Sequence, residues 1–468
     1  MARNSKRKAA AARGGAAMTK EELKLSGSLA SVYMLRMMGI FLMLPVFSVY
    51  AAALPGGSDK GLVGLAFGVY GLTQALLQMP FGLASDRFGR KKAIYFGLVV
   101  FALGSFMCAV ADSVQTLAVA RALQGAGAIS GVVTALMADL TREEVRTRAM
   151  SMIGIGIGLT FSLSLIVSPI LGRAVGVRGI FALTGVLALI AALYVRFFVP
   201  DPPVAKSNED SVASAAFLPS VLKNKPLWRL NFGIFVVHCA QMALFAALPF
   251  ALIEWCGVGQ SEHWKIYLPA TVVGFVAMIP AVVLAETKEK MKPVFMGSIV
   301  VLGIAQLALV FSLHSAWAVA LSLCLYFAGL DVAEAALPSW VSKIVSPKFK
   351  GTAMGMYSAF MSIGIFCGGL AGGFIAARWG LAAVFGFNAA LMLVWLASMA
   401  TMPAPLSVRT LIFGLEGVSP QRIDSALAAA QKQKGVLETF VSADGLAMYV
   451  KIKPRECDAE ALKGALGL

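Results

Sequence analysis

The sequence predicts an all-α membrane protein, twelve spanning helices in two sets of six, followed by a small α+β domain. Three observations carry that prediction. Charged residues make up 14% of the 468 residues and hydrophobic ones 59%, with a mean hydropathy of +0.79; soluble proteins carry about 25% charged residues. Apolar stretches of about 20 residues, the length that crosses a bilayer, recur along the chain. Beyond residue 401 both features end.

Residues 1–26 ("MARNSKRKAAAARGGAAMTKEELKLS") are basic and rich in Ala and Gly, the composition of a disordered tail. The first six predicted spans lie near 27–51, 61–83, 93–112, 114–138, 149–172 and 177–198. The h-region of a signal peptide runs only about 7–15 residues, so the longer first stretch reads as a retained helix. A polar linker (199–226) precedes six more spans, near 227–253, 264–285, 293–312, 315–339, 351–376 and 379–401. The two sets look related: "RTRAMSMIGIG" (146–156) and "KGTAMGMYSAF" (350–360) each follow a basic loop and share Ala149/Ala353, Met150/Met354 and Met152/Met356. Duplicated bundles of this kind rock around a central site in many transporters.

Lysine and arginine in short loops favour the cytoplasm. Eighteen fall in the even-numbered loops and five in the odd-numbered ones, which puts both termini in the cytoplasm. The net charge of +16 is this topology signal, reinforced by anionic lipid, and needs no nucleic-acid partner. The six cysteines are scattered without a C-x-x-C, so neither a disulfide framework nor a metal site is indicated. No phosphate-binding loop or nucleophile elbow supports enzymatic chemistry, and no cofactor is expected.

Residues 402–468 read as a separate domain. "VRTLIFGL" (408–415) predicts a strand; "SPQRIDSALAAAQKQKG" predicts a helix capped by Ser419, with Pro420 at its first position and Gly435 as its stop. Strands at "VLETFV" and "LAMYVKIKP" flank the turn "SADG", and "DAEALKGAL" (458–466) predicts a last short helix. The β-α-β-β-α order is that of a ferredoxin-like domain without its final strand.

The loop between the second and third spans, "GLASDRFGRKK" (82–92), concentrates charge. A positive-inside signal accounts for its lysines but not for Gly82, Asp86, Arg87, Gly89 and Arg90 at their spacing. This stretch resembles the signature loop of the major facilitator superfamily, G-x-x-x-D-R-x-G-R-K. The resemblance implies that Asp86 sits near the start of the eleventh helix, at Gly351 to Ala353, facing its positive dipole end. It also implies that Arg90 meets Asp139 at the end of the fourth helix, and that these contacts latch the cytoplasmic side shut. "LAVARALQGAGAI" (117–129) resembles the family's helix-4 motif, whose arginine, here Arg121 with Gln124 on the same face, is implicated in proton coupling. "SPILG" (168–172) keeps Pro169 and Gly172 of the antiporter helix-5 signature, but Ser168 and Arg173 replace its flanking glycines. Upstream, Gly154 and Gly158 suit close helix packing.

The same resemblance makes helices 1, 4, 7 and 10 the walls of a central cavity. Each carries polar side chains inside an apolar span: Arg36; Arg121 and Gln124; His238 and Gln241; Asp331 and Glu334. Helix 2 adds Gln74 and Gln78. Ionisable groups inside spans mark pathways or proton relays. His238, Asp331 and Glu334 are candidate proton carriers; the two carboxylates can alternatively form a gate pair with Arg36. The tail is similar to the C-terminal "YAM" domain of a group of bacterial inner-membrane transporters. The expectation is a monomeric, proton-driven exporter of small lipophilic or cationic compounds in the bacterial inner membrane. The alternative is a ligand sensor whose tail signals.

Overall fold

The computed structural model describes residues 18–462, apart from 142, 201–222, 288–289, 313–314, 346–349, 405–408, 416–417, 442–444, 446, 454–455 and 458–461. Helix α1 (Lys20–Phe41) opens with a capping box between Thr19 and Glu22. The expected disordered head is therefore helical from Lys20 onward; its first seventeen residues lie outside the described ones. α1 breaks at 42–46 and resumes as α2 (Phe47–Ala52), where the sequence predicts one helix. Then follow α3 (Lys60–Phe88), α4 (Arg90–Val110), α5 (Val114–Ala126) and α6 (Ser130–Asp139). The fifth and sixth predicted spans share one helical run, α7 (Glu143–Phe198), which turns at Gly176 with φ 69°; a positive φ suits glycine.

The second half comprises α8 (Lys225–Glu254), α9 (Trp264–Thr287), α10 (Met291–Phe311), α11 (Ala316–Ile344), α12 (Lys350–Trp379) and α13 (Leu381–Ala400). Ten helical stretches among the described residues are long and apolar enough to cross a membrane, with α5 and α6 counted together and α7 counted once. The duplication leaves a structural trace. Lys91, at the start of α4, donates to the Val199 carbonyl beyond the end of α7 (2.8 Å). Lys292, at the start of α10, donates to the Ala400 carbonyl closing α13 (2.9 Å). Each ammonium meets the negative end of a helix. Ala149 and Ala353, paired by sequence, are both fully buried.

The halves meet along α3 and α12. A methyl group on Gly68 would come within 2.5 Å of the Phe366 carbonyl, and one on Gly71 within 2.6 Å of the Ser362 carbonyl; Gly64 and Gly373 also face each other. Only glycine lets two helix backbones approach this closely. These residues run from the end where α3 begins, the distal face, to the middle of both helices. At the distal face Ser48 Oγ donates to the Phe245 carbonyl (3.1 Å) and Gln260 Nε2 to that of Val46 (3.4 Å), again joining the halves. At the other end of α3 and α12, a side chain on Gly82 or Gly355 would meet nothing within 4 Å. The close backbone contacts between the halves thus lie away from the tail.

The tail carries β1 (Arg409–Gly414), α14 (Pro420–Lys432), β2 (Val436–Val441) and β3 (Ala447–Ile452). β3 lies between the others, antiparallel to both. α14 sets Ala426 and Ala430 against Phe413, Met448, Val450 and Ile452. Ser419 precedes α14 as predicted, but its hydroxyl makes no capping bond. The "SADG" turn and the last predicted helix fall mostly outside the described residues.

Candidate translocation site

Arg90 organises the charged loop. Gly89 ends α3 and starts α4 at φ 101°, a conformation that favours glycine, and the sharp turn brings Arg90 back over the last turn of α3. Its guanidinium pairs with Asp86 one turn earlier, donates to Asp139 Oδ2 at 3.0 Å and to Ser85 Oγ at 2.7 Å. Ser85 in turn donates to the Gly82 carbonyl (2.7 Å). The sequence reading overlooked Ser85, whose small polar side chain in a helix carries no distinguishing pattern. Arg87 is exposed beside the Phe88 ring. All these contacts lie within the first half. The implied approach of Asp86 to 351–353 involves Gly351, whose surroundings lie outside the described residues.

Deeper in the first half, two guanidiniums converge on Tyr70, another residue the sequence reading passed over. Arg36, fully buried, donates to Ser130 Oγ (2.7 Å), Tyr70 Oη (2.9 Å) and Gln74 Oε1 (3.3 Å). This bonding holds Arg36 in its own half rather than in the gate pair with Asp331 and Glu334. Arg121 stacks over the Tyr70 ring at 4.8 Å and donates to Gln124 Oε1 at 2.5 Å. Gln124 Nε2 donates to Ser105 Oγ (2.8 Å). A lone arginine in a spanning helix costs about 2.5–3.5 kcal/mol to insert; these neutral acceptors and the aromatic faces of Tyr70, Phe47 and Phe101 offset part of that.

In the second half, His238 and Gln241 share α8, and Asp331 and Glu334 share α11. His238 Nδ1 lies 3.3 Å from the Ile234 carbonyl one turn back, a contact in which the nitrogen donates. That turns Nε2 toward Glu334 Oε1, 3.9 Å away. Asp331 lies beside Gly274 of α9, the neighbouring helix. Gln241 is buried. Phe161 of α7 and Phe327 of α11 meet across the halves (6.0 Å).

The close packing expected at Gly154 and Gly158 is not found at Gly154, and Gly158 and Gly172 make only ordinary contacts. Gly158 leaves room for the Phe275 ring, Gly172 stands near Val46, and Gly154 faces open space. Pro169 lies inside α7. Ser168, which departs from the antiporter signature, donates to the Leu42 carbonyl (2.5 Å). That carbonyl is freed by the break between α1 and α2, and a buried carbonyl needs a donor.

This arrangement, two helical halves around a polar-spotted interior, is that of a membrane transporter, and the chain belongs to the Major Facilitator Superfamily, whose profile matches residues 29–330 and 268–411. It is similar to the inner membrane transport protein YajR of Escherichia coli (strain K12), 37% identical over 93% of this chain and 95% of that protein. It is 27% identical to multidrug resistance protein 1 of Bacillus subtilis (strain 168), over 76% of this chain and 91% of that protein. Among solved structures, a bacterial homolog of the lysosomal transporter Spinster, inward-facing and occupied, superposes with a TM-score of 0.67 at 14% identity, covering 82% of this chain and 97% of that one. The chain is thus a multi-pass membrane transporter rather than an enzyme.

Proposed function

We propose that this transporter exports small lipophilic or cationic compounds in exchange for protons, by alternating access across a bacterial inner membrane. The observation that carries the reading is the facing of His238 Nε2 and Glu334 Oε1 across two cavity helices. With no proton between them, two lone pairs confront each other; one proton satisfies both. A site that prefers one proton, yet opens to a cavity, suits a proton carrier. Glu334 retains 38% of its side-chain exposure, so water and a cationic substrate can compete for it. The relatives, an inner membrane transport protein and a multidrug resistance protein, support transport over ligand sensing.

In this reading the helices make twelve crossings. α1 and α2 together form the first, and α7 crosses twice by turning at Gly176. The halves are 27–198 and 227–401, joined by the 199–226 linker, and the tail face is cytoplasmic. The gathering of close backbone contacts between the halves away from the tail supports reading this conformation as open toward the cytoplasm. The Arg90 cluster belongs to a latch that completes itself across the halves when that side shuts. The β1-β3-β2 order with α14 crossing between β1 and β2 supports a ferredoxin-like tail.

Flux in proteoliposomes tests the function. With a lipophilic fluorescent cation as probe, an imposed pH gradient should drive accumulation. Glu334→Gln should cut that flux by about tenfold or more, roughly 1.4 kcal/mol on the limiting barrier. His238→Ala should uncouple it. Flux indifferent to the gradient in the unaltered protein would overturn the antiport reading.

A further inference from the structure

The open sheet face of the tail does not hang free. Along β3, Met448, Val450 and Ile452 point into the tail's own core beneath α14. Tyr449 and Lys451 therefore point to the opposite face. Tyr449 stacks on Phe440 of β2 with ring centroids 4.7 Å apart. Lys451 is only 8% exposed, and its ammonium donates to the Lys343 carbonyl (2.8 Å) and the Val345 carbonyl (3.2 Å). Those carbonyls close the C-terminal end of α11, the helix that carries Asp331 and Glu334. Burial pulls the Lys451 pKa below the ordinary lysine range, while Glu438, its cross-strand neighbour, opposes the shift. A desolvated ammonium is costly unless strong acceptors meet it, and the end of a long helix supplies them. At one edge of the sheet, β1 lies against α7 of the first half.

One three-stranded sheet thus touches both halves at the tail face. The second half lacks its own version of the Arg90 cluster: its corresponding loop, "ETKEKMKP", does not carry the pattern. In the first half Arg90 holds the end of α6; in the second, a basic residue from the tail holds the end of α11.

We propose that the tail domain is an internal strut: Lys451 clamps it to the end of α11 while β1 rests on α7, and so it favours the conformation open at the tail face. The proposal rests on the two halves rocking. Shutting the tail face moves α7 and α11 toward each other, which one rigid sheet holding both ends resists. The equilibrium shifts only by the difference in contact energy between states, and the clamp is such a difference.

The test is the distance between spin labels at Lys92 and Lys290, exposed residues at the tail-side ends of the two halves. Both are changed to cysteine in the full chain, with its native cysteines replaced, in lipid nanodiscs without substrate. The unaltered tail should leave a short-distance, tail-closed population of about 10% or less. Lys451→Met should raise it to roughly half, a shift of about tenfold in the equilibrium. Lys451→Arg, which keeps the cation and its donors, should restore the original distribution. Lys432→Met, on the exposed side of α14, should leave it alone. Unchanged distances in Lys451→Met overturn the proposal, as does an equal shift in Lys432→Met. If Lys451→Met unfolds the tail, the strut is lost as well, so unchanged distances are equally decisive. Because no substrate or gradient is present, this outcome is read separately from the flux test.

Discussion

Arg90 holds three partners at once, Asp86, Asp139 and Ser85, and removing any one alters what it can offer the second half. Asp86→Asn keeps the shape of the side chain while removing its charge. It should slow or bias cycling yet leave ligand affinity of the open state within about threefold, since Asp86 lies in the last turn of α3, outside the proposed His238–Glu334 site. Equilibrium binding beside transport rates in the same preparation measures both; a large loss of affinity would place Asp86 in the binding site. The Arg90–Asp139 contact was legible because a spaced motif names both the loop and its partner helix. Ser85, Ser105, Ser130 and Tyr70 were not. A serine in an apolar helix reads the same whether it bonds its own preceding turn or a buried guanidinium from another helix, and only packing decides.

At the scale of elements, the breaks tell most. Residues 27–51 form one continuous apolar stretch in sequence, yet the backbone leaves the helix at 42–46, beside Pro45. Pro45 lacks the donor a helix interior requires, but the break persists because Ser168 and Gln260 take up the Leu42 and Val46 carbonyls. Those donors come from segments more than a hundred residues away, which no local pattern reports. Ser168→Ala should therefore leave a buried carbonyl unsatisfied and lower stability by about 1–3 kcal/mol, read as a fall in the thermal midpoint in detergent. Ser168→Gly, the residue of the antiporter signature, removes the same donor and should match it. The glycine faces of α3 and α12 behave differently: each glycine is visible in the sequence, but its opposite number is not. Gly64→Leu should force these helices apart at the distal face, lengthening the distance between labels at Ser58 and Arg378.

Across the whole molecule, the apolar helices were the most legible feature, because apolarity in spans is read against the solvent rather than against a partner; charge at the loops adds an expected orientation. It yields a direct test. A cysteine at Lys92 should react with a membrane-impermeant thiol reagent in inside-out vesicles and resist it in intact cells, and one at Ser58 should do the reverse. The relation between tail and bundle was illegible for the opposite reason. Lys451 sits in an alternating strand at a position that reads as solvent-facing, and its burial exists only because a helix from another domain ends beside it.

The glycine seam has a last consequence, for energy conservation. Backbones that touch through Gly64, Gly68, Gly71 and Gly373 leave no room between them for a chain of water molecules, and without water a proton has no route across that contact. In the cytoplasm-open reading, the seam insulates the cavity from the far compartment. Widening it by side-chain bulk would show first as a slow collapse of a pH gradient across otherwise tight vesicles, with substrate absent, before any change in what the protein binds.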